Sequence, residues 1–142
     1  MRSSARGETL VEYALALTLF LMTLFGITQF GLAVWQFNMI SNLAQEGARW
    51  ASVRGGGSAS PASTADVQNY VRSRGVGISG LSVTTTVADV NTRACTSSAI
   101  APSAMGSGGG LCVRVQKMVA FSRLIPAGPL RLESTAQMIM AR

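Results

Sequence analysis

The sequence predicts an α+β fold: a long N-terminal transmembrane and stalk helix, a short second helix, and a small antiparallel β-sheet domain. Three observations carry that prediction. No residue between Glu12 and Glu46 is charged. Gly55, Gly56 and Gly57 then interrupt the helical pattern. Beyond them the chain turns to Thr- and Val-rich runs with alternating polarity.

The apolar run from Tyr13 to Phe37 reads YALALTLFLMTLFGITQFGLAVWQF. As a helix it extends about 37 Å, enough to cross a hydrocarbon core of roughly 30 Å with some tilt. Its polar members are mild (Thr18, Thr23, Thr28, Gln29, Gln36), and Tyr13 and Trp35 stand near its ends, where amphipathic rings favour the interface. The rest of the chain is too small to enclose a helix that is apolar all round. The run is also longer than the apolar core of a secretory signal. Arg2 and Arg6 precede it and Arg49 and Arg54 follow, so the flanking charges are nearly balanced; the short basic leader favours a cytoplasmic N-terminus.

Helical spacing continues through Ile40, Leu43, Ala44, Gly47, Ala48, Trp50 and Ala51, with Asn42, Gln45, Glu46, Arg49 and Ser52 between them. A single helix from about Thr9 to Arg54 is expected, lipid-compatible first and amphipathic afterwards. Residues 55–63, GGGSASPAS, read as a flexible linker. Residues 64–75 read as a short helix capped by Ser63 or Thr64, with Asp66 in its first turn and Val67, Tyr70 and Val71 on its apolar face.

Three strands are expected in residues 64–142. They are 79–88, 111–121 (Val113, Val115, Val119 and Phe121 on one face) and 130–140 (Leu130, Leu132, Ala136, Met138 and Met140 on one face). Pro126 to Pro129 makes the turn between the last two. Cys95 and Cys112 bracket a Gly/Ser-rich loop. A bridge between them would close that loop and implies an oxidising compartment; two buried free thiols are the alternative. GSGGG (106–110) lacks the Lys and Ser/Thr of a phosphate loop and reads as a flexible linker. The GxGxxG match at Gly75, Gly77 and Gly80 precedes a strand instead of opening a helix, which argues against a dinucleotide site.

The chain has 142 residues, 12 Lys+Arg, 6 Asp+Glu, no His and two Cys. Without His there is no Ser-His-Asp or Cys-His nucleophile and no imidazole metal ligand. Six scattered acids leave little for paired-carboxylate chemistry. No catalytic residue, metal site or cofactor is expected. The net charge of +6 is spread out and lacks an aromatic-basic platform, so no nucleic-acid partner is expected.

One short motif bears on function. The chain reads Arg6-Gly7-Glu8-Thr9-Leu10-Val11-Glu12-Tyr13, which sets an acid at the mouth of a membrane helix. Acids there are costly and are functional suspects, although a carboxylate also suits the positive end of a helix. The stretch resembles the prepilin-peptidase site of type IV pilin-like proteins: a short basic leader, Gly, then Glu at the fifth mature position. Tyr13 resembles the tight-adherence (Tad/Flp) branch. Residues 6–54 closely resemble the TadE-like (TadE/TadG) pseudopilin family, most specifically in QEGARWASVRG. Thr18 stands where family members often have Pro, and Gln29 where many carry an acid.

The resemblance implies a pilin-like minor pseudopilin, a structural component of a tight-adherence pilus or linked secretion machine. Residues 1–7 would be a leader, with cleavage between Gly7 and Glu8, and Glu12 and Tyr13 would serve assembly. It implies a bacterial inner-membrane protein with one span, a cytoplasmic N-terminus and an exported C-terminal domain. Partners would be other pilin-like subunits, the prepilin peptidase, the Tad inner-membrane assembly platform and membrane lipid. Alternatives are a major filament subunit, an unrelated single-pass scaffold or sensor, and a surface nucleic-acid binder.

Overall fold

The computed structural model describes residues 4–89, 92, 94–106, 108–120 and 128–141. Its elements are α1 (Ser4–Ser52), α2 (Thr64–Arg74), β1 (Ser82–Ala88), β2 (Cys95–Ala99), a 3-10 turn (Pro102–Ala104), β3 (Gly110–Val119) and β4 (Leu130–Ile139). This is the expected α+β class. The chain divides into two units, Met1–Trp35 and Gln36–Arg142.

The described part of the first unit is helix. Its apolar side chains are exposed around the whole circumference, among them Leu10, Leu15, Leu19, Met22, Phe25 and Phe30. The three Thr hydroxyls of the apolar run do not interrupt it. Thr18, Thr23 and Thr28 each donate to the carbonyl four residues back, Ala14 (2.8 Å), Leu19 (2.9 Å) and Leu24 (2.9 Å). Each hydroxyl proton is thus satisfied within the helix, which removes most of its cost in an apolar medium. At Thr18 the helix runs on without a break.

In the second unit the remainder of α1 presents Ile40, Leu43, Ala44, Ala48 and Ala51 to a core shared with Val67 and Val71 of α2, Val83, Leu111, Val113, Val115 and Leu132. The sheet is antiparallel, with strand order β2-β1-β3-β4. Register places Val113 opposite Thr85 and Ala136, and Val115 opposite Val83 and Ser134. Odd positions of β1 and β3 therefore share the core face with even positions of β4, the alternation a half-buried sheet requires. Thr85 is buried on that face and donates to the Ile100 carbonyl at 2.6 Å.

Four points of the sequence reading are corrected. The sheet has four strands, not three: Cys95–Ala99 pairs with β1. The helix ends at Ser52, two residues early, because Arg54 N–H closes a turn onto the Ala51 carbonyl. Residues 55–63 are not a free linker. Gly56 N–H donates to Met105 O, Ala62 N–H to Arg54 O and Ser103 N–H to Ala62 O, and Ala62 is buried. The glycine run at 106–110 is likewise tied down, through Gly108 N–H to Met140 O and Met140 N–H to Gly109 O. Phe121 and the first half of the turn expected at 126–129 lie outside the described residues.

The disulfide Cys95–Cys112 is formed. It joins β2 to β3 although β1 lies between them. In a flat sheet such strands stand roughly 9.5 Å apart, yet the two Cα atoms are 5.9 Å apart. The register of β2 slips between Thr86 and Ala88, an irregularity that bends a strand. Cys112 occupies the face of β3 opposite the core, so β2 curls over that face and buries it. At the start of β3, Gly110 allows a close approach to β1: a Cβ there would lie 2.6 Å from the Ala88 carbonyl oxygen.

Candidate functional site

The residues singled out by the sequence fall into two groups. Gly7, Glu8, Glu12 and Tyr13 all stand on α1, in the first unit. Cys95 and Cys112 are in the second. The four N-terminal residues thus share one helix, and the disulfide is a feature of the second unit.

At the helix mouth Glu8 and Glu12 are exposed and four residues apart, so both carboxylates lie on one face, separated by about 6 Å of rise. Tyr13 is exposed beside them. Gly7 lies within the helical span, and a Cβ there would meet no other atom. Steric room is therefore not what Gly7 provides. It does lower the cost of opening the helix locally, since Gly is about 1 kcal/mol poorer than Ala in a helix interior.

The motif QEGARWASVRG shapes the second unit. Gly47 marks a close approach: a Cβ there would stand 2.7 Å from Val71 Cγ2 and 3.4 Å from Val113 Cγ1. Ala44, Ala48 and Ala51 are small enough to bury on the same stripe. Trp50 stacks on Tyr70 of α2, with centroids 4.8 Å apart and planes at 14°. The Arg54 guanidinium lies 4.3 Å from the Trp50 ring and that of Arg74 5.5 Å from the Tyr70 ring. Arg54, Trp50 and Tyr70 of this array line an open groove of about 510 Å³ together with Asp66 and Asn69. Its arithmetic is structural: a stacked pair contributes about 0.5–1.5 kcal/mol and each exposed cation–π contact about 0.5–1 kcal/mol. Sequence reasoning missed the array, because nothing in the chain pairs residue 50 with residue 70 before α2 is placed.

Ser63 is the cap of α2. Its hydroxyl accepts from Asp66 N–H at 3.2 Å, and its own N–H donates to Asp66 Oδ2 at 2.9 Å. The Ser63 hydroxyl also donates to Asp66 Oδ2 at 2.7 Å. These bonds from Ser63, aided by the charge of Arg54, hold the Asp66 carboxyl below the usual carboxylate range. Among the described residues, no group of three His, Cys, Asp or Glu is placed to hold a metal ion.

The helix spanning Gly7 to Ser52 is long and apolar enough to cross a membrane, and none of its apolar window is buried. Residues 7–49 match the model of the family described as TadE-like protein. The matched segment, 43 of the 142 residues, is similar to this family and lies wholly within α1. No curated protein and no solved structure matches the chain. The TadE-like segment begins at Gly7, takes in Glu8, Glu12 and the whole apolar run, and ends at Arg49, one residue before the Trp50 ring. It thus covers the exposed helical run and the small residues Ala44, Gly47 and Ala48, and stops short of Ala51, α2 and the strands.

Proposed function

We propose that this protein is a minor pseudopilin: a non-enzymatic, membrane-anchored component of a tight-adherence pilus or linked secretion machine. The observation that carries this reading is the TadE-like match taking in a helical window that is long and apolar enough to cross a membrane and is left unburied by the described residues. Such a surface requires lipid, other helices, or first one and then the other.

In this reading a prepilin peptidase hydrolyses the Gly7–Glu8 bond on the cytoplasmic side. Water is consumed, Gly7 leaves as a carboxylate, and Glu8 acquires an α-ammonium. That ammonium pairs with the Glu12 carboxylate of a neighbouring subunit. The helix rises about 6 Å from residue 8 to residue 12, so pairing requires neighbours offset along the axis by about that distance. A lone charge in the bilayer centre costs about 2.5–3.5 kcal/mol on insertion scales. Pairing offsets this cost and selects one axial register, as buried polar groups do in coiled coils. Tyr13 stands next to the pair and would pack at the same interface. The other partners in this reading are the Tad assembly platform and membrane lipid, with the C-terminal domain exported from the inner membrane.

Intact mass of the membrane-extracted protein, with and without a prepilin peptidase, tests the reading. A product beginning at Glu8 only when the peptidase is present is the expected result; an unprocessed chain in both samples contradicts it. Glu12→Gln is expected to leave cleavage unchanged and to lower incorporation into assembled pili. Normal incorporation of that variant removes the pairing role.

A further inference from the structure

The two margins of the sheet differ. β2 is curled over the outer face and tied there by the Cys95–Cys112 bridge. β4 is an uninterrupted margin of ten residues, paired to β3 without a register shift. Backbone bonds fix which of its groups face outward. Met140 N–H donates to Gly109 O and Met140 O accepts from Gly108 N–H, so Met140 faces β3; Ala141 N–H turns the other way, to the Ser52 carbonyl. In an antiparallel ladder this alternation continues along the strand. Two strands away it reappears where Ile100 N–H donates to the Thr85 carbonyl, on the β2 side of β1. The even residues of β4 therefore bond to β3. Arg131, Glu133, Thr135 and Ile139 turn N–H and C=O outward, on a repeat of roughly 6.8 Å. Among the described residues these backbone groups have no partner.

Edge strands are ordinarily blunted by Pro, a bulge, a Lys or shortness. β4 has none of these from Leu130 to Ile139. Its charges stand near its start. Glu133 lies 3.0 Å from both Arg114 and Arg131, and Lys117 lines a dent of about 190 Å³ with Arg131. Three cations thus share one acid there, while Thr135 to Ile139 carries no charge. A second copy does not suit this margin. α2 runs against the second half of α1, since Tyr70 meets Trp50 and Gly75 lies beside Leu43. β1 runs against α2, because Gln68 Nε2 donates to Val83 O while Thr64 meets Thr85. β4 therefore runs with the second half of α1. Antiparallel β4-to-β4 pairing would oppose those helix segments, and subunits sharing one orientation cannot pair that way.

We propose that the outer edge of β4 is a strand-addition site, which takes one extended segment of a different polypeptide, antiparallel, with an acidic side chain opposite Arg131 and uncharged ones toward Ile139. Outward N–H and C=O groups at the repeat of an extended chain select an extended chain. The excess of cations at one end selects an acid there and sets the direction. The choice of a foreign strand over a second copy rests on the proposed function, in which subunits share one orientation; the open edge itself does not.

The test uses the full chain in detergent and, as probe, an amidated peptide of about nine residues, alternating Val and Thr and ending in Glu. Amide hydrogen exchange is read residue by residue along β4. At about 1 mM probe, exchange at 131, 133, 135 and 139 is expected to slow about tenfold, while 132, 134 and 136, already bonded to β3, exchange as before. The same peptide N-methylated on alternate residues is expected to give no slowing, and one ending in Lys to bind about fivefold more weakly. Thr135→Pro removes an outward N–H but no ladder bond, and is expected to abolish the slowing. Arg131→Glu, which leaves the edge backbone intact, is expected to reverse the preference to the Lys-ended peptide. Unchanged exchange at 1 mM probe, or equal slowing of odd and even amides, overturns the proposal. Slowing that appears without probe as protein concentration rises, with a doubled mass, assigns the edge to a second copy and also overturns it. None of these readouts depends on cleavage after Gly7, so their failure leaves the proposed function standing.

Discussion

The two halves of α1 are one unbroken helix solving opposite problems. Before Trp35 the large apolar side chains point in every direction and are exposed, from Leu10 to Val34. After Gln36 they narrow to one stripe (Ile40, Leu43, Ala44, Ala48, Ala51) and are buried against α2 and the sheet. Length and helix propensity do not separate the halves. What separates them is residue size on the inward face, small enough after residue 43 for a second helix and a strand to approach Gly47. A helix can therefore be an anchor and a structural core in turn, with the change of role written in side-chain volume.

The sharpest way to break this contrast is to make the same deletion in both halves. Leu43→Ala, at 4 % exposure, is expected to destabilise the second unit by about 4 kcal/mol, the usual cost of emptying a buried leucine site. Leu24→Ala, at 48 % exposure, is expected to leave that unfolding transition where it was. Denaturant titration in detergent, followed by near-UV circular dichroism, checks both; equal shifts would erase the distinction. Next in size is the disulfide. Replacing Cys95 and Cys112 by Ser is expected to cost about 3 kcal/mol in the chain-entropy account, again only in the second unit.

The contrast also explains what could be read from the residues. The apolar run, the amphipathic continuation and the strands at 110–119 and 130–139 were legible because their burial follows period 3.6 or period 2. Cys95–Ala99, CTSSA, carries no alternation of apolar residues; it is a strand because it pairs with β1 and is tied to Cys112. The glycine-rich segments at 55–63 and 106–110 look loose in the sequence because composition does not distinguish a glycine that frees the chain from one that lets two backbones meet. Gly110 against Ala88 is of the second kind. At the candidate site, Gly7, Glu8, Glu12 and Tyr13 were found by motif, and the structure adds their common helix and the shared face of the two acids. The Trp50–Tyr70 stack was invisible, since it joins two helices across a turn whose path the sequence does not specify.

Smaller effects sharpen the picture at the junction of α1 with α2. Gly47→Ala puts a methyl 2.7 Å from Val71 Cγ2. Overpacking costs about 1–3 kcal/mol, and better helix propensity returns about 1 kcal/mol, so a net loss of about 1 kcal/mol is expected. Gly26→Ala and Gly31→Ala, where an added Cβ meets nothing, should gain or leave stability unchanged. Comparing the three melting curves separates packing from propensity.

The smallest expected effect lies at the start of α2. Ser63→Ala removes the single hydroxyl that both accepts from Asp66 N–H and donates to the Asp66 carboxylate, and is expected to cost about 1 kcal/mol. The pH dependence has a fixed sign. Asp66 is held below its unfolded value by Ser63 first and Arg54 last, so the native state favours its ionised form. Its contribution is present above the ordinary carboxylate range and is lost as pH falls through the lowered value. Because the carboxylate is fully exposed, the effect is small and screened by salt. Stability measured from neutral to acid pH should therefore fall slightly less steeply in Asp66→Asn than in the parent chain. A steeper fall in that variant would mean that Asp66 does not favour its charged form in the folded domain, and that the cap works through the serine alone.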